Sequence, residues 1–106
     1  MSYINATDLE FNDLIKNNKD KLIVVDFWAP WCWPCQTFWP IFEQISNEFD
    51  DVIFAKLNVD ENPKTAINFN VMWIPTILFI KNGETILQNT WIINPEQFKE
   101  IIENNK

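Results

Sequence analysis

Three continuous apolar runs, each containing β-branched residues, restrict the folds open to this chain more than any other feature. They read KLIVVDFW from residue 21, DVIFAKLNV from residue 51 and PTILFI from residue 75. A strand that is buried on both faces shows no alternation of polar and apolar residues, which is typical of central strands in parallel sheets. These runs therefore predict a sheet that other elements cover on both faces.

Helical patterns alternate with the apolar runs. Apolar residues recur with a helical period in four segments, at residues 5–17, 32–49, 61–70 and 94–105. Asn82-Gly83 predicts a tight hairpin after the third run, and residues 2–5 can add a short strand. Buried strands separated by helices imply an α/β fold, with a central mixed sheet and helices on both faces. The chain shows no linker or repeat, so we expect a single domain over residues 1–106.

Polar residues mark the predicted starts of three helices. Thr7 and Glu10 have the spacing of a capping box. Asn62 and Asn94 each precede a proline, which suits an N-cap followed by the first helical position. Pro40 lies inside the second helix, where we expect a kink.

Composition and charge exclude several classes of function. The net charge is −7, with eight lysines and no arginine, which argues against binding to nucleic acids or to anionic membranes. The apolar runs are too short to span a bilayer. The N-terminal residues MSYINATDLE lack the features of a secretory signal, so a cytoplasmic location is the default expectation.

Cys32 and Cys35 follow the first buried strand directly and stand at the start of the second helix. A helix N-terminus offers unpaired N–H groups and partial positive charge, so Cys32 is expected to ionise more readily than a free thiol. The thiolate is the attacking species in disulfide exchange, and Cys35, one turn further on, is placed to resolve a mixed disulfide. Pro34 suits a first helical turn and keeps the two sulfurs at ring-closing distance.

The same spacing has other uses. It can supply half of a zinc site, but zinc usually takes four ligands and the chain has no histidine and no third cysteine. A metal or cluster shared between two chains and a pair of inert thiols both remain as alternatives. We expect the pair to be the redox group itself, with no metal and no bound cofactor.

Several independent stretches, taken in order, resemble the thioredoxin family. They are VVDFWAPWCWPC, PIFEQISNEF, KLNVDENPKTA, IPTILFIKNGE and the closing helix. The resemblance implies a thioredoxin fold, with a five-stranded mixed sheet between helices, and protein-disulfide reductase activity. It also implies disulfide-containing protein substrates, and electrons that come from NADPH through a thioredoxin reductase.

The resemblance assigns catalytic roles. Cys32 matches the family's nucleophile, Cys35 its resolving cysteine and Asp26 the buried acid behind the pair. Burial raises the pKa of a carboxyl group, so Asp26 is expected to accept the proton of Cys35. The alternative is a strand-end carboxylate that faces water. Lys56 matches a lysine near that acid, and its alternative is a solvated lysine.

The predicted substrate-binding surface also depends on the resemblance. Pro75 matches a cis-proline that faces the disulfide, and in the family the backbone before it, here Ile74, pairs with an extended substrate segment. Trp28 matches a tryptophan packed behind the site, and Trp31 matches an exposed one beside Cys32. The full predicted surface comprises Trp31, Trp33, Pro34, Trp73, Ile74, Pro75 and Trp91.

Four tryptophans stand where the family commonly has small residues. Trp33, Trp73 and Trp91 are expected to surround the reactive sulfur, where indoles either add apolar contacts, block the groove or are tolerated. Trp39 lies on a packed helix and can overfill the core, at a cost of about 1–3 kcal/mol if its neighbours cannot adjust. The chain has one glycine, and Gly and Trp codons can differ by one base. A UGA codon read as glycine is therefore a further hypothesis, and an engineered substitution is another; the gene sequence tests the first.

Two other functions stay open at this point. One is a thioredoxin-fold binding module whose tryptophan-lined face holds one partner and turns over poorly. The other is a disulfide oxidase or isomerase, because the residues between the cysteines set the redox poise. We expect a monomer, although an exposed tryptophan face can drive dimerisation.

Overall fold

A computed structural model describes residues 2–106 of the chain. The predicted domain, residues 1–106, includes Met1, which lies outside the described residues. The elements in chain order are β1 (Tyr3–Asn5), α1 (Phe11–Lys16), β2 (Ile23–Trp28), α2 (Trp33–Ser46), β3 (Ile53–Asn58), α3 (Pro63–Asn68), β4 (Thr76–Lys81), β5 (Glu84–Thr90) and α4 (Pro95–Asn105). None of the helices in residues 2–106 has the length and apolar character needed to cross a membrane.

The five strands form one mixed sheet in the order β1-β3-β2-β4-β5. β3 pairs in parallel with β1 and with β2, whereas β4 pairs antiparallel with β2 and with β5. The three apolar runs supply the three inner strands, and their positions are buried almost throughout. The mixed sheet and the α/β class predicted from the sequence are confirmed.

Each face of the sheet has its own core layer. One layer joins alternate strand residues such as Val24, Phe54 and Phe79 to apolar residues of α2 and α4, among them Phe42 and Phe98. The other joins the intervening strand residues to α1 and α3. Because successive side chains of a strand point to opposite faces, the two layers account for the absence of polar alternation in these strands.

The hairpin and the last helix begin as the sequence predicts. Asn82 and Gly83 both have positive φ, 56° and 80°, as a tight turn between β4 and β5 requires. The Asn94 side chain accepts a hydrogen bond from the Gln97 N–H at 2.9 Å, which caps α4.

Two predicted helix bounds and one predicted side-chain cap are wrong. α2 ends at Ser46 and not near Phe49, and α1 begins only at Phe11, because Thr7 and Glu10 form a turn before it. Asn62 does not cap α3 with its side chain, because its Oδ1 accepts a hydrogen bond from the Asp8 N–H at 2.8 Å.

Asp8 does the capping of α3 instead. Its carboxylate accepts hydrogen bonds from the backbone N–H groups of Lys64 and Thr65 at 3.1 and 2.8 Å. It also accepts one from the Thr65 hydroxyl at 2.7 Å. These hydrogen bonds lower the pKa of Asp8 although its partial burial opposes them. A cap that comes from a residue more than fifty positions away leaves no local sequence signal.

Candidate active site

Cys32 and Cys35 form a disulfide at the junction where β2 leads into α2. Cys32 is the N-cap of α2, and its sulfur accepts a hydrogen bond from the Cys35 N–H at 3.3 Å. The Cys32 N–H donates to the Ala29 carbonyl oxygen at 3.1 Å, which closes the loop before the helix. The strand therefore delivers the pair to a helix N-terminus, where backbone N–H groups face the sulfurs.

The two cysteines differ in exposure. Cys32 is 3% exposed and Cys35 is 0% exposed, and Pro34 lies in the first turn between them. The first turn of α2 contains no acidic residue, so nothing in it opposes the positive end of the helix dipole. This environment favours a thiolate on Cys32 after reduction.

Trp31 stands beside the disulfide and is 69% exposed. Its indole N–H donates to Asp60 Oδ1 at 3.2 Å, and Asp60 lies in the turn that follows β3. Asp60 is a site neighbour that the sequence reasoning did not identify. The signal for it was available: β2 and β3 are parallel neighbours, so residues just beyond both carboxyl ends meet at one edge of the sheet.

The segment before β4 approaches the disulfide from the other side. Ile74 packs against the apolar group of Ala29, Cys32 and Cys35, and the Ile74–Pro75 peptide bond is cis. Pro75 is buried, and its carbonyl oxygen accepts a hydrogen bond from the Trp91 N–H at 2.8 Å. The structure thus brings Ile74 to the cysteine pair, and the predicted site residue Pro75 follows it directly.

The other predicted surface tryptophans point to solvent. Trp33 is 71% exposed, Trp73 is 72% exposed and Trp91 is 53% exposed. The Thr76 hydroxyl donates to the Trp73 carbonyl oxygen, which anchors the backbone of that loop while leaving the indole free. With Trp31, these side chains place four largely exposed indoles in the segments around the disulfide.

Trp91 has a backbone conformation that glycine adopts more readily, with φ of 93°. A Trp91→Gly variant is expected to raise the free energy of unfolding by about 1 kcal/mol. Relief of a strain of about 1–3 kcal/mol exceeds the entropy that a glycine loses on folding. Thermal unfolding should show a midpoint about 4–8 °C higher.

Trp73→Gly is the matched control for this prediction. Trp73 is more exposed than Trp91, and its φ is not positive. Its replacement therefore removes an exposed indole without relieving backbone strain. We expect no gain in stability from this variant. An equal gain at both positions would mean that the loss of an exposed indole, and not the backbone at position 91, stabilises the chain.

Asp26 lies on β2, the strand that leads to the cysteine pair, and is completely buried. Neither of its carboxylate oxygens accepts a hydrogen bond from any group within residues 2–106. Burial raises the pKa of Asp26 to about 7, and the charge of Lys56 opposes this rise. A carboxyl group that titrates near neutral pH can accept and return a proton under physiological conditions.

Lys56 is the register partner of Asp26 on the neighbouring strand β3 and is 4% exposed. Burial lowers the pKa of Lys56, while the charges of Asp26 and Glu43 oppose this change. The solvated positions that the sequence left open for Asp26 and Lys56 are therefore not the ones they occupy.

Trp28 and Trp39 pack against each other next to Lys56. Their rings meet edge to face, with centroids 4.9 Å apart and an interplanar angle of 84°. Both residues are only partly buried, and the Trp39 ring lies over Lys56. The cost of overfilling the core at Trp39 stays a prediction. Tyr3 and Glu43 are further neighbours of Lys56 that the sequence reasoning missed.

Comparisons with known proteins agree with this site. The Thioredoxin family model matches residues 2–104. The thioredoxin of Buchnera aphidicola subsp. Acyrthosiphon pisum is 39% identical over 103 residues, covering 96% of this chain and 94% of that protein. Thioredoxin 2 of Chlorobaculum tepidum is 46% identical over 87 residues, covering 81% of this chain and 79% of that protein. The X-ray structure of Fasciola hepatica thioredoxin has a TM-score of 0.89 at 38% identity, covering 98% of this chain and 99% of that chain.

These matches extend over nearly the whole chain and include the C-x-x-C disulfide. The family needs no bound cofactor, and its members generally work with a thioredoxin reductase and with disulfide substrates. The chain belongs to the thioredoxin family and is a thiol–disulfide oxidoreductase, a protein-disulfide reductase.

Proposed function

We propose that this chain reduces disulfides of partner proteins in the cytoplasm, as a monomer, with electrons from NADPH delivered by a thioredoxin reductase. The observation that supports this most directly is the Cys32–Cys35 disulfide at the N-terminus of α2, with Ile74 packed against it. The disulfide is the redox group, so the cycle requires no other bound group.

In the proposed reaction the reduced chain attacks with the Cys32 thiolate. A bond forms between Cys32 Sγ and one substrate sulfur, the substrate disulfide breaks, and the departing substrate thiolate takes a proton from water. Cys35, deprotonated in turn, attacks Cys32 Sγ and releases the second substrate sulfur as a thiol. Two electrons pass from the dithiol to the substrate, and the chain is left with the Cys32–Cys35 disulfide for the reductase to reduce.

Asp26 is proposed as the group that takes the proton from Cys35. The Cys35 side chain is fully buried, so bulk water cannot deprotonate it directly. Asp26 is buried on the strand that leads to the same loop, and no group in the described part of the chain, residues 2–106, donates a competing hydrogen bond to its carboxylate. A base of pKa near 7 can take up this proton and later release it without a large cost in either direction.

The substrate is proposed to bind as an extended segment across the backbone at Ile74 and Pro75. Trp31 and Pro34 flank Cys32 on one side, and Trp73 precedes Ile74 on the other. Exposed indoles offer large apolar surfaces at low entropic cost, so partners with apolar or aromatic residues next to their cysteines should bind best.

The four exposed indoles also support a second candidate function, a binding module that holds one partner and turns over slowly. Trp33 occupies the position between the two cysteines, where its bulk opposes close approach by a substrate backbone. The rate of repeated turnover distinguishes the two functions, because a binding module turns over slowly and a reductase does not.

Reduction of insulin disulfides, driven by dithiothreitol, tests the proposal. We expect the parent chain, with all of its tryptophans, to be active. A variant with glycine at positions 33, 73 and 91 should reduce insulin at a rate within about tenfold of the parent's. Activity in the glycine variant alone would contradict the general reductase function and favour the binding module. Trp31 is retained in both proteins, so the comparison isolates the three indoles.

A further inference from the structure

The ammonium group of Lys56 lies among aromatic rings and not in an ion pair. Its Nζ is 3.9 Å from the ring centroid of Trp39, 5.2 Å from that of Trp28 and 5.4 Å from that of Tyr3. None of the salt bridges found within residues 2–106 includes Lys56. All three rings are within the distance, about 6 Å, at which a cation and an aromatic face attract each other. We call these three residues, Tyr3, Trp28 and Trp39, the aromatic cage.

Three different elements supply the cage. Tyr3 comes from β1 and Trp28 from the end of β2, so both belong to the sheet that carries Lys56. Trp39 comes from α2, the helix that begins at the cysteine pair. Its ring is the nearest of the three to Nζ, and Trp28 supports it edge to face. Trp39 therefore connects the Lys56 ammonium to the helix that carries the reactive sulfurs.

The backbone alone would place Lys56 next to Asp26. The two residues are register partners on parallel strands, so their side chains leave the sheet on the same face. On the other side of Asp26, β4 contributes the apolar residue Ile77. Among the described residues no group donates a hydrogen bond to the Asp26 oxygens, although Lys56, with its flexible side chain, occupies the adjacent position on β3. The Lys56 ammonium lies instead over the rings of the aromatic cage.

Besides Asp26, two acidic side chains lie near Lys56. Glu43 on α2 acts on Lys56 through its charge, and it also faces the Tyr3 hydroxyl. Glu61 lines a cleft of about 360 Å³ that Lys56 and Trp28 also border. Trp39 does not border this cleft, and it covers Lys56 from the side of α2. Removal of the Trp39 ring would thus free the ammonium on the side where α2 now confines it.

We propose that Trp39 is a positioning residue of the thiol-exchange reaction, whose ring holds the Lys56 ammonium in the aromatic cage and away from the Asp26 carboxylate. This inference rests on the proposed function, in which Asp26 takes the proton of Cys35. An ammonium that moved onto Asp26 would favour its charged form and weaken it as a base. With the Lys56 ammonium held in the cage, the Asp26 carboxyl group stays able to bind a proton.

The test is the titration of Asp26 in the oxidised protein, followed by NMR of its carboxyl carbon. This measurement needs neither turnover nor a partner. A Trp39→Leu variant keeps an apolar side chain but removes the aromatic face, and we expect the midpoint of Asp26 to fall by about half a pH unit or more. Trp39→Phe restores an aromatic face and should return the midpoint most of the way.

A double-mutant cycle with Lys56→Met identifies the route of the effect. If Trp39 acts by holding Lys56, Trp39→Leu causes no shift in the Lys56→Met background. An equal shift in both backgrounds would overturn the proposal, because Trp39 would then act only by keeping water from Asp26. An unchanged midpoint in Trp39→Leu would overturn it as well.

Tyr3→Leu provides a second variant that does not alter α2. It removes a more distant ring, so a smaller shift in the same direction is expected. Insulin reduction is then measured across pH, and the profile of Trp39→Leu should move to lower pH together with the Asp26 midpoint. Absence of reductase activity in the parent chain would contradict the proposed function, whereas the carboxyl titration would still decide the role of the cage.

Discussion

A Cys35→Ser variant is expected to lose repeated turnover and to accumulate as a mixed disulfide that joins Cys32 to a substrate sulfur. The first attack needs only the Cys32 thiolate at the N-terminus of α2, whereas the release of substrate needs the second sulfur. The residual rate of insulin reduction should equal that of dithiothreitol alone. Mass spectrometry under non-reducing conditions, with a peptide disulfide as substrate, detects the trapped adduct.

Cys32→Ser is the matched control for the trap. Cys32 is the more exposed of the two cysteines, and Cys35 is entirely buried. We therefore expect Cys32→Ser to lose turnover without forming an adduct. An adduct in Cys32→Ser and none in Cys35→Ser would show that the roles of the two cysteines are exchanged. Adducts in both variants would show that either sulfur can attack.

The inner strands could be predicted because their burial is written locally as continuous apolar runs. The hairpin turn and the cap of α4 have equally local signals, at Asn82-Gly83 and at Asn94, and both predictions are confirmed. The start of α3 at Pro63, after Asn62, could also be predicted, but the side chain that caps it could not, because Asp8 supplies that cap from a distant part of the chain. Local sequence contains no information about that pairing.

The parts of the site that have a local sequence signal could be predicted. The position of Cys32 and Cys35 after a buried strand predicts a helix N-terminus, and the apolar neighbours of Asp26 predict its burial. The aromatic cage was not predictable, since it joins three elements, and Trp39 was interpreted as a core residue. A helical period indicates which face a residue lies on, but not whether it meets the core or the margin of the sheet.

Four tryptophans stand where the family commonly has small residues, and the fold places a different requirement on each of these positions. Position 91 is the one of the four with positive φ, so its backbone favours glycine independently of any family comparison. Trp33 and Trp73 are exposed without such strain, and Trp39 contacts Lys56. The hypothesis that these codons are read as glycine stays a prediction. Glycine at position 39 would leave Lys56 without its nearest ring.

An Asp26→Leu variant is expected to be more stable than the parent chain at alkaline pH, and its advantage should grow with pH. The carboxyl pKa is about 7 in the folded chain, against an ordinary value of 3.8. Folding therefore favours the protonated form, and the stability of the parent falls as pH rises from the unfolded value to the folded value. A difference of about three pKa units corresponds to about 4 kcal/mol.

Denaturant unfolding of the oxidised protein at about pH 4 and about pH 8 measures this effect. The gap between Asp26→Leu and the parent should widen by about 4 kcal/mol between the two conditions. Lys56→Met is the control, because it removes the charge that opposes the raised pKa of Asp26. The stability of this variant should therefore fall more steeply with pH than that of the parent. A gap independent of pH would show that folding does not raise the pKa of Asp26.

The same variant should be a poorer enzyme. Leucine cannot accept the proton of Cys35, so the rate of insulin reduction at about pH 7 is expected to fall about tenfold or more. Formation of the mixed disulfide by Cys32 should change less, because that step does not require the buried base. A stable, slow variant with a normal first attack would place Asp26 at the resolving step. The parent chain would then retain an unpaired buried carboxyl group, at a cost in stability, because its chemistry requires one.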